Sequence, residues 1–169
     1  GSLSKISEEE AIKAAKEFNG LKGMDLAKVV STKTEYDWNE GIWPDNKESN
    51  ESNSIIAYDY GIKENILRLL TESVGRVRVV NAKTPFEEII KLKPNGIFLS
   101  NGPGDPEPCD YAINSIKKFL EKKIPVFGIC LGHQLLALAG GASTYKMKFG
   151  HHGANHPVQD MSSKDVFIT

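Results

Sequence analysis

The sequence predicts an α/β protein with a mostly parallel sheet that is covered by helices on both faces. Beyond residue 54, short β-rich apolar runs alternate with amphipathic stretches of helical length. Glycine-rich loops follow the third and fourth of these runs, at residues 101–106 and 128–132. Repeated strand–helix units favour parallel pairing, and such sheets bind ligands beyond the carboxyl ends of their strands. We therefore expect function at these two loops.

The first 53 residues are predicted to lead into this domain, which spans residues 54–169, rather than to form a domain themselves. The first two residues look like the scar of tag removal. Ser7 and Glu10 form a predicted capping box for a short helix. One face of that helix carries Ile12, Ala15 and Phe18. Residues 34–54 combine turn formers and charges without periodicity, which indicates a polar linker.

The regular part of the chain divides into four strand–helix units. The predicted strands span residues 55–58, 77–80, 96–100 and 126–129. Helices are predicted after Gly61 and over residues 85–91, 111–123 and 132–139, and two glycines close the last. The expected inward positions are Ile62, Ile66, Leu69 and Leu70 in the first helix, and Ala112, Ile113, Ile116, Phe119 and Leu120 in the third. A further strand is predicted over residues 166–169.

Composition argues against several classes of function. The 169 residues include 21 basic and 22 acidic side chains, so no strong field attracts nucleic acid or an anionic membrane. No apolar run approaches the roughly 18 to 20 residues that span a bilayer, and no signal peptide is evident, so a cytoplasmic protein is expected. Cys109 and Cys130 are too few for a disulfide scaffold and too far apart for a CxxC motif.

Cys130 lies in a G-x-C-x-G sequence at residues 128–132, between the fourth strand and its helix. This is the cysteine form of the nucleophile elbow, in which a tight turn projects the reactive side chain. Glycine two residues to either side leaves room where a Cβ would crowd neighbouring backbone. The helix N-terminus favours the reactive thiolate. The alternative is that Cys130 is a small buried hydrophobe at a close-packed junction.

The loop after the third strand suits an oxyanion hole. Gly102 and Gly104 can expose backbone N–H groups, and two prolines stiffen the loop around them. A tetrahedral intermediate at the Cys130 sulfur needs fixed donors near its oxygen, and the N–H groups of Gly102 and Leu131 can supply them. The alternative is an ordinary Pro/Gly turn.

These loops resemble a known family. Residues 101–106 (N-G-P-G-D-P) and 128–134 (G-I-C-L-G-H-Q) are similar to the class I (triad) glutamine amidotransferase domain, which has a flavodoxin-like sheet. Residues 58–68 and 146–157 are similar to the glutamine-hydrolysing small subunit of carbamoyl-phosphate synthases rather than to the anthranilate or GMP synthase forms. Residues 20–38 look like the interdomain segment of that subunit.

The resemblance implies a role for each matching residue. Cys130 would be the nucleophile that attacks the side-chain amide of glutamine, releasing ammonia and leaving a γ-glutamyl thioester. Gly102 and Leu131 would provide the oxyanion-hole N–H groups. Gly104 and Gln134 would contact the bound glutamine.

The resemblance also implies a partner and no cofactor. In the family, ammonia passes through a tunnel to a large synthetase subunit, which uses ATP and bicarbonate to make carbamoyl phosphate for arginine and pyrimidine synthesis. No cofactor is expected in this domain itself, and the sequence has no G-x-x-x-x-G-K-[ST] phosphate loop.

The chain departs from the family pattern at the catalytic general base. The catalytic histidine and glutamate of the family lie well downstream of the cysteine, beyond Thr169, so we expect a domain truncated at its C-terminus with weak or absent activity. His133 is expected to point toward the body of the domain and not to replace that base. The spacing of His151, His152 and His156 matches no common zinc pattern, so no metal is expected.

Three other interpretations stay open. The first is another class I glutamine amidotransferase. The second is a flavodoxin-like cysteine hydrolase or chaperone-like protein, which would show no preference for glutamine analogues. The third is a non-catalytic binding module, in which Cys130 would react no faster than Cys109 with a neutral alkylating agent.

Overall fold

The main sheet of the computed structural model, which describes residues 6–44, 53–148 and 155–168, contains five strands. They are β1 (Tyr36–Trp38), β2 (Ser54–Asp59), β3 (Arg76–Asn81), β4 (Gly96–Leu99) and β5 (Val126–Gly128). Their spatial order is β1-β3-β2-β4-β5. Strand β1 is antiparallel to β3, and the other three pairs are parallel. The four predicted strands and their parallel pairing are confirmed.

Six helices and a small second sheet complete the described part of the chain. The helices are α1 (Glu8–Glu17), α2 (Ala27–Val30), α3 (Glu64–Ser73), α4 (Phe86–Ile89), α5 (Asp110–Glu121) and α6 (Leu131–Ala139), and a 3₁₀ turn (Ile90–Leu92) follows α4. Strands β6 (Pro157–Gln159) and β7 (Val166–Ile168) pair with each other, separately from the main sheet. Over these described residues, no helix is long and apolar enough to cross a membrane.

Strand β2 shows why both faces of the sheet are covered. Its side chains alternate between two hydrophobic clusters, because successive residues of a strand point to opposite faces. Ile56 and Tyr58 pack in the cluster that includes residues of α4, α5 and α6. Ile55 and Ala57 pack in the cluster that includes Leu67 of α3. The predicted α/β architecture with helices on both faces is therefore confirmed.

The N-terminal segment differs in part from its prediction. The capping box is present, since Ser7 Oγ accepts a hydrogen bond from the Glu10 N–H and the Glu10 carboxylate accepts one from the Ser7 N–H. Helix α1 has no buried residue, however. The linker prediction is wrong for Tyr36–Trp38, which pair with β3 as an edge strand. Trp38 packs against the α3 side of the core, a long-range contact that local composition does not reveal.

Two leucines that the sequence predicts to face inward are exposed. In α3, Leu69 is 46% exposed and Leu67 is fully buried, so the inward face is shifted from the predicted one. At about 100° per residue, Leu69 lies about 200° around the helix from the buried Leu67, on the solvent side. In α5, Ala112, Ile116 and Phe119 are buried as predicted, whereas Leu120 is 39% exposed.

Alkaline pH is expected to destabilise this fold. Burial raises the pKa of the Cys109 thiol from its ordinary 9.0 to about 11 and also raises the pKa values of the Tyr58 and Tyr60 hydroxyls. Between pH 9 and pH 11 the unfolded chain therefore loses protons that the folded chain keeps, and the free energy of unfolding must fall. Urea unfolding across this range measures the effect. Cys109→Ala should make the decline shallower, and a constant free energy would contradict the assignment.

Candidate active site

The sheet brings the two glycine-rich loops together. Strands β4 and β5 are parallel neighbours, so the loops that follow them leave the same edge of the sheet. Backbone hydrogen bonds join the turn at 128–132 to the end of β4, directly before the other loop, from the Ile129 N–H to the Leu99 carbonyl and from the Gly132 N–H to the Ser100 carbonyl, both at 3.0 Å. The predicted proximity of residues 101–106 and 128–132 is confirmed.

Cys130 lies on a strained turn that two glycines make possible. Its φ of 54° and ψ of −110° lie where residues other than glycine are rarely found. A Cβ on Gly128 would come within 2.6 Å of the Gly132 carbonyl carbon, and a Cβ on Gly132 would overlap the Leu99 carbonyl oxygen. The steric reason for the G-x-C-x-G spacing is thus confirmed, while the role of the sulfur as nucleophile stays a prediction.

The two cysteines have opposite environments. Cys130 is exposed and is the N-cap residue of α6. The unpaired N–H groups and the positive end of the helix dipole therefore lie next to this residue. The alternative interpretation of Cys130 as a buried hydrophobe is therefore wrong. Cys109 is 1% exposed, and burial raises its pKa to about 11. Cys130 is the cysteine available for chemistry.

The N–H groups of Gly102 and Leu131 are free to bind a ligand oxygen. Leu131 is the first residue of α6, where an N–H has no partner within the helix. Within the described residues, neither N–H donates a hydrogen bond. Gly102 lies against the β2–α3 turn, because a Cβ there would overlap the Tyr60 carbonyl oxygen. These features support the predicted oxyanion hole, whose assignment to Gly102 and Leu131 stays a prediction.

Gly104 and Gln134, the predicted glutamine contacts, line one cavity. Its volume is about 280 Å³, just below the roughly 300–1,000 Å³ of small-molecule sites. Gln134 lies one helical turn from Cys130, and its N–H donates to the Cys130 carbonyl at 3.0 Å. The cavity also has charged lining residues of both signs, Lys22, Asp105, Glu107 and Lys146. The structure thus brings the two predicted substrate contacts to one cavity, whose lining includes Gln134 of α6 but not Cys130.

The histidine expectations have different outcomes. His133 is exposed, so the prediction that it points toward the body of the domain is wrong. Helix α6 buries Leu131, Gly132 and Leu135, and the 100° rotation per residue leaves position 133 on the outer face. His133 makes no hydrogen bond to Cys130 among the described side chains. His151 and His152 lie outside the described residues, and no cluster of metal-binding side chains occurs in the part that is described.

Sequence reasoning missed the polar residues that hold the loops. Ser100 is fully buried, and its Oγ accepts the Tyr60 N–H at 2.8 Å and donates to the Asn101 carbonyl at 2.8 Å. The Asp59 carboxylate, 6% exposed as a residue, accepts three backbone N–H groups, including that of Thr32 at 2.7 Å. The available signal was a polar residue at the end of each buried apolar run.

The geometry and the sequence comparison agree on a class of protein. An exposed cysteine on a strained turn between a parallel strand and a helix, beside a loop with free N–H groups, is typical of α/β proteins with a cysteine nucleophile. The model of the family "Glutamine amidotransferase class-I" matches residues 56–169. The chain belongs to the class-I glutamine amidotransferase family.

Within this family, the chain is similar to curated proteins of one kind, the small chains of carbamoyl phosphate synthase. The chain is 61% identical to the carbamoyl phosphate synthase small chain of Pseudomonas syringae pv. tomato, over 97% of this chain and 45% of that protein. It is 60% identical to the small chain of Pseudomonas putida with the same coverage. It is 61% identical to that of Yersinia pestis, over 94% of this chain and 42% of that protein. The chain thus spans less than half the length of these relatives.

Replacing Cys130 by glycine is expected to stabilise the fold relative to Cys130→Ala. Both variants remove the sulfur, but only glycine relieves the strain of a positive φ, and we expect a difference of about 1 kcal/mol in the free energy of unfolding. Urea titration of the two variants gives this difference. Ala137→Gly, in the regular part of α6, is the control and should instead destabilise by about 0.5–1 kcal/mol. Equal stability of the two Cys130 variants would contradict the strain.

Proposed function

We propose that this chain is the glutamine-hydrolysing part of a carbamoyl phosphate synthase small chain. The observation that carries the proposal is the exposed Cys130 on its strained turn, with the free N–H groups of Gly102 and Leu131 close in the fold. Family membership and about 60% identity to small chains support the amide of glutamine as the substrate. The same identity argues against the interpretation as a different class-I amidotransferase.

The proposed reaction begins with attack of the Cys130 thiolate on the side-chain carbonyl carbon of glutamine. The carbonyl oxygen becomes an oxyanion, which the Gly102 and Leu131 N–H groups stabilise. Collapse of this intermediate breaks the C–N bond, and the nitrogen takes up a proton and leaves as ammonia. Water then attacks the γ-glutamyl thioester, which releases glutamate and restores the thiol.

The cavity beside Gln134 is the proposed binding site for the rest of the substrate. Glutamine carries an ammonium and a carboxylate group at the end remote from its amide. Gly104 and Gln134 of the lining can form hydrogen bonds to the substrate. The lysines of the lining can pair with the substrate carboxylate, and its carboxylates can pair with the substrate ammonium group. A cavity of about 280 Å³ suits a small amino acid.

A large synthetase subunit is the proposed recipient of the ammonia. The relatives are named as small chains of carbamoyl phosphate synthase, and a small chain implies a large one. ATP and bicarbonate would bind to that subunit, and its product, carbamoyl phosphate, would serve arginine and pyrimidine synthesis. We propose no cofactor, metal ion, nucleic acid or membrane partner for this chain.

An electrophilic glutamine analogue tests the proposed chemistry. A chloroketone that replaces the side-chain amide is expected to alkylate Cys130 with saturation kinetics, and free glutamine should protect. Intact mass spectrometry and peptide mapping measure the rate and locate the adduct. Cys130→Ser is the control for the site.

Iodoacetamide, a neutral reagent, does not by itself separate the alternatives. Faster reaction at Cys130 than at Cys109 follows from burial of Cys109 alone, so that difference does not establish catalysis. A chloroketone reaction without saturation or glutamine protection would instead support a cysteine hydrolase of other specificity or a non-catalytic module.

Glutamine turnover by the 169-residue chain itself is expected to be weak. His133, three residues after Cys130, faces outward and is not placed as its general base, and loss of a general base costs on the order of 10² to 10⁴ in rate. Ammonia release, measured against the Cys130→Ser background and against an intact small subunit, gives the ratio. A turnover close to that of the intact subunit would overturn this expectation.

A further inference from the structure

The segment that precedes the sheet crosses over the glycine-rich loop. The Gly23 N–H donates to the Asp105 carboxylate at 2.7 Å, and the Asp105 N–H donates to the Met24 carbonyl at 2.9 Å. These bonds run in opposite directions between the same two stretches of chain. Asp105 therefore ties the loop to this segment through both its side chain and its backbone. We call residues 21–26 the strap.

The strap and the loop meet backbone to backbone. Gly104 has a φ of +99°, and a Cβ there would come within 2.6 Å of the Met24 carbonyl oxygen and 2.9 Å of the Leu26 nitrogen. No side chain can fit between the two stretches. The position of Gly104, a predicted glutamine contact, is thus defined by the strap.

A buried carboxylate also anchors the strap, next to the Cys109 thiol, which donates to the Asp105 carbonyl of the loop at 3.5 Å as well. The Asp25 side chain is 6% exposed and forms an ion pair with Lys28 at 3.3 Å. The Asp25 carboxylate accepts hydrogen bonds from the Tyr111 hydroxyl at 3.2 Å and from the Cys109 thiol at 3.6 Å. Burial raises the pKa of Cys109 to about 11, so the thiol keeps its proton and remains a donor at neutral pH. The strap is therefore fixed to the start of α5.

The strap also forms a wall of the cavity. Leu21 and Lys22 line it together with Gly104, Asp105 and Gln134. The family match begins at residue 56, so the strap lies outside the region that the family model covers. We propose that Asp105 is a positioning residue that holds the glycine-rich loop against the strap, and that the strap is an integral part of the glutamine site. This inference rests on the proposed function.

Asp105→Ala tests the role of the hydrogen bond between the Asp105 carboxylate and the strap. Loss of a hydrogen bond to a carboxylate is expected to lower the second-order rate of Cys130 labelling by the chloroketone analogue about 10- to 100-fold. The concentration for half-maximal rate should rise, because Gly104 and the strap are substrate contacts. The iodoacetamide rate at Cys130 should stay within about twofold, because the turn at Cys130 depends on Gly128 and Gly132 rather than on Asp105.

Two further variants serve as controls. Asp105→Asn retains one oxygen to accept the Gly23 N–H but sets its NH₂ group against the Glu107 N–H, which the other carboxylate oxygen accepts, so it should recover only part of the labelling rate. Asp110→Ala removes a carboxylate five residues away, at the start of α5, and should label like the unchanged chain. Thermal unfolding of each variant separates loosening of the loop from loss of the fold.

Each outcome decides the proposal. Analogue labelling of Asp105→Ala at the rate of the unchanged chain would overturn it, and so would an equal loss of labelling by the analogue and by iodoacetamide. If the unchanged chain shows no saturable labelling, the proposed function fails. Amide hydrogen exchange then tests separately whether Asp105 holds the glycine-rich loop against the strap. In Asp105→Ala, exchange of the Gly23 amide and of the amide at position 105 should accelerate while exchange over α6 does not, and unchanged exchange of both amides would overturn the proposed role of Asp105.

Discussion

The close backbone contact at the carboxyl end of β4 is the constraint on which the site depends. Gly132 packs directly against Leu99, and its N–H donates to the Ser100 carbonyl. The first turn of α6 can approach β4 this closely only because Gly132 has no side chain. Protein interiors are close-packed, so the turn before the helix cannot relax, and Cys130 keeps its positive φ. The local strain at the cysteine is therefore a consequence of strand–helix packing.

The same contact turns two ordinary loops into a candidate catalytic arrangement. The glycine-rich loop is bonded to α6 on one side, to the β2–α3 turn through Ser100 and Asn101 on another, and to the strap through Asp105 on a third. Donors that are fixed before reaction stabilise a developing charge without the cost of reorganisation. A loop held from three sides has that property, whereas an isolated Pro/Gly turn does not.

Burial decides which cysteine can react. Cys109 follows the glycine-rich loop and lies under the strap, where its thiol donates to the Asp25 carboxylate and its pKa is raised. Cys130 is exposed at the N-terminus of a helix. The thiolate is the nucleophilic form of cysteine, and only a sulfur that is accessible can attack a substrate. Two side chains of the same type thus have a structural and a proposed chemical role.

The sequence by itself determined the alternation of strands and helices, the two loops and Cys130, because these depend on local periodicity and on the spacing of glycines. Only the tertiary structure decided that Tyr36–Trp38 pair with β3, that Leu67 rather than Leu69 faces the core, and that His133 faces outward. Only the tertiary structure brought the strap into contact with Asp105, which accepts the Gly23 N–H, and with Cys109, whose thiol donates to Asp25. Edge pairing and hydrogen bonds across about 80 residues leave no periodic signal, since they depend on which surfaces meet after the chain has folded.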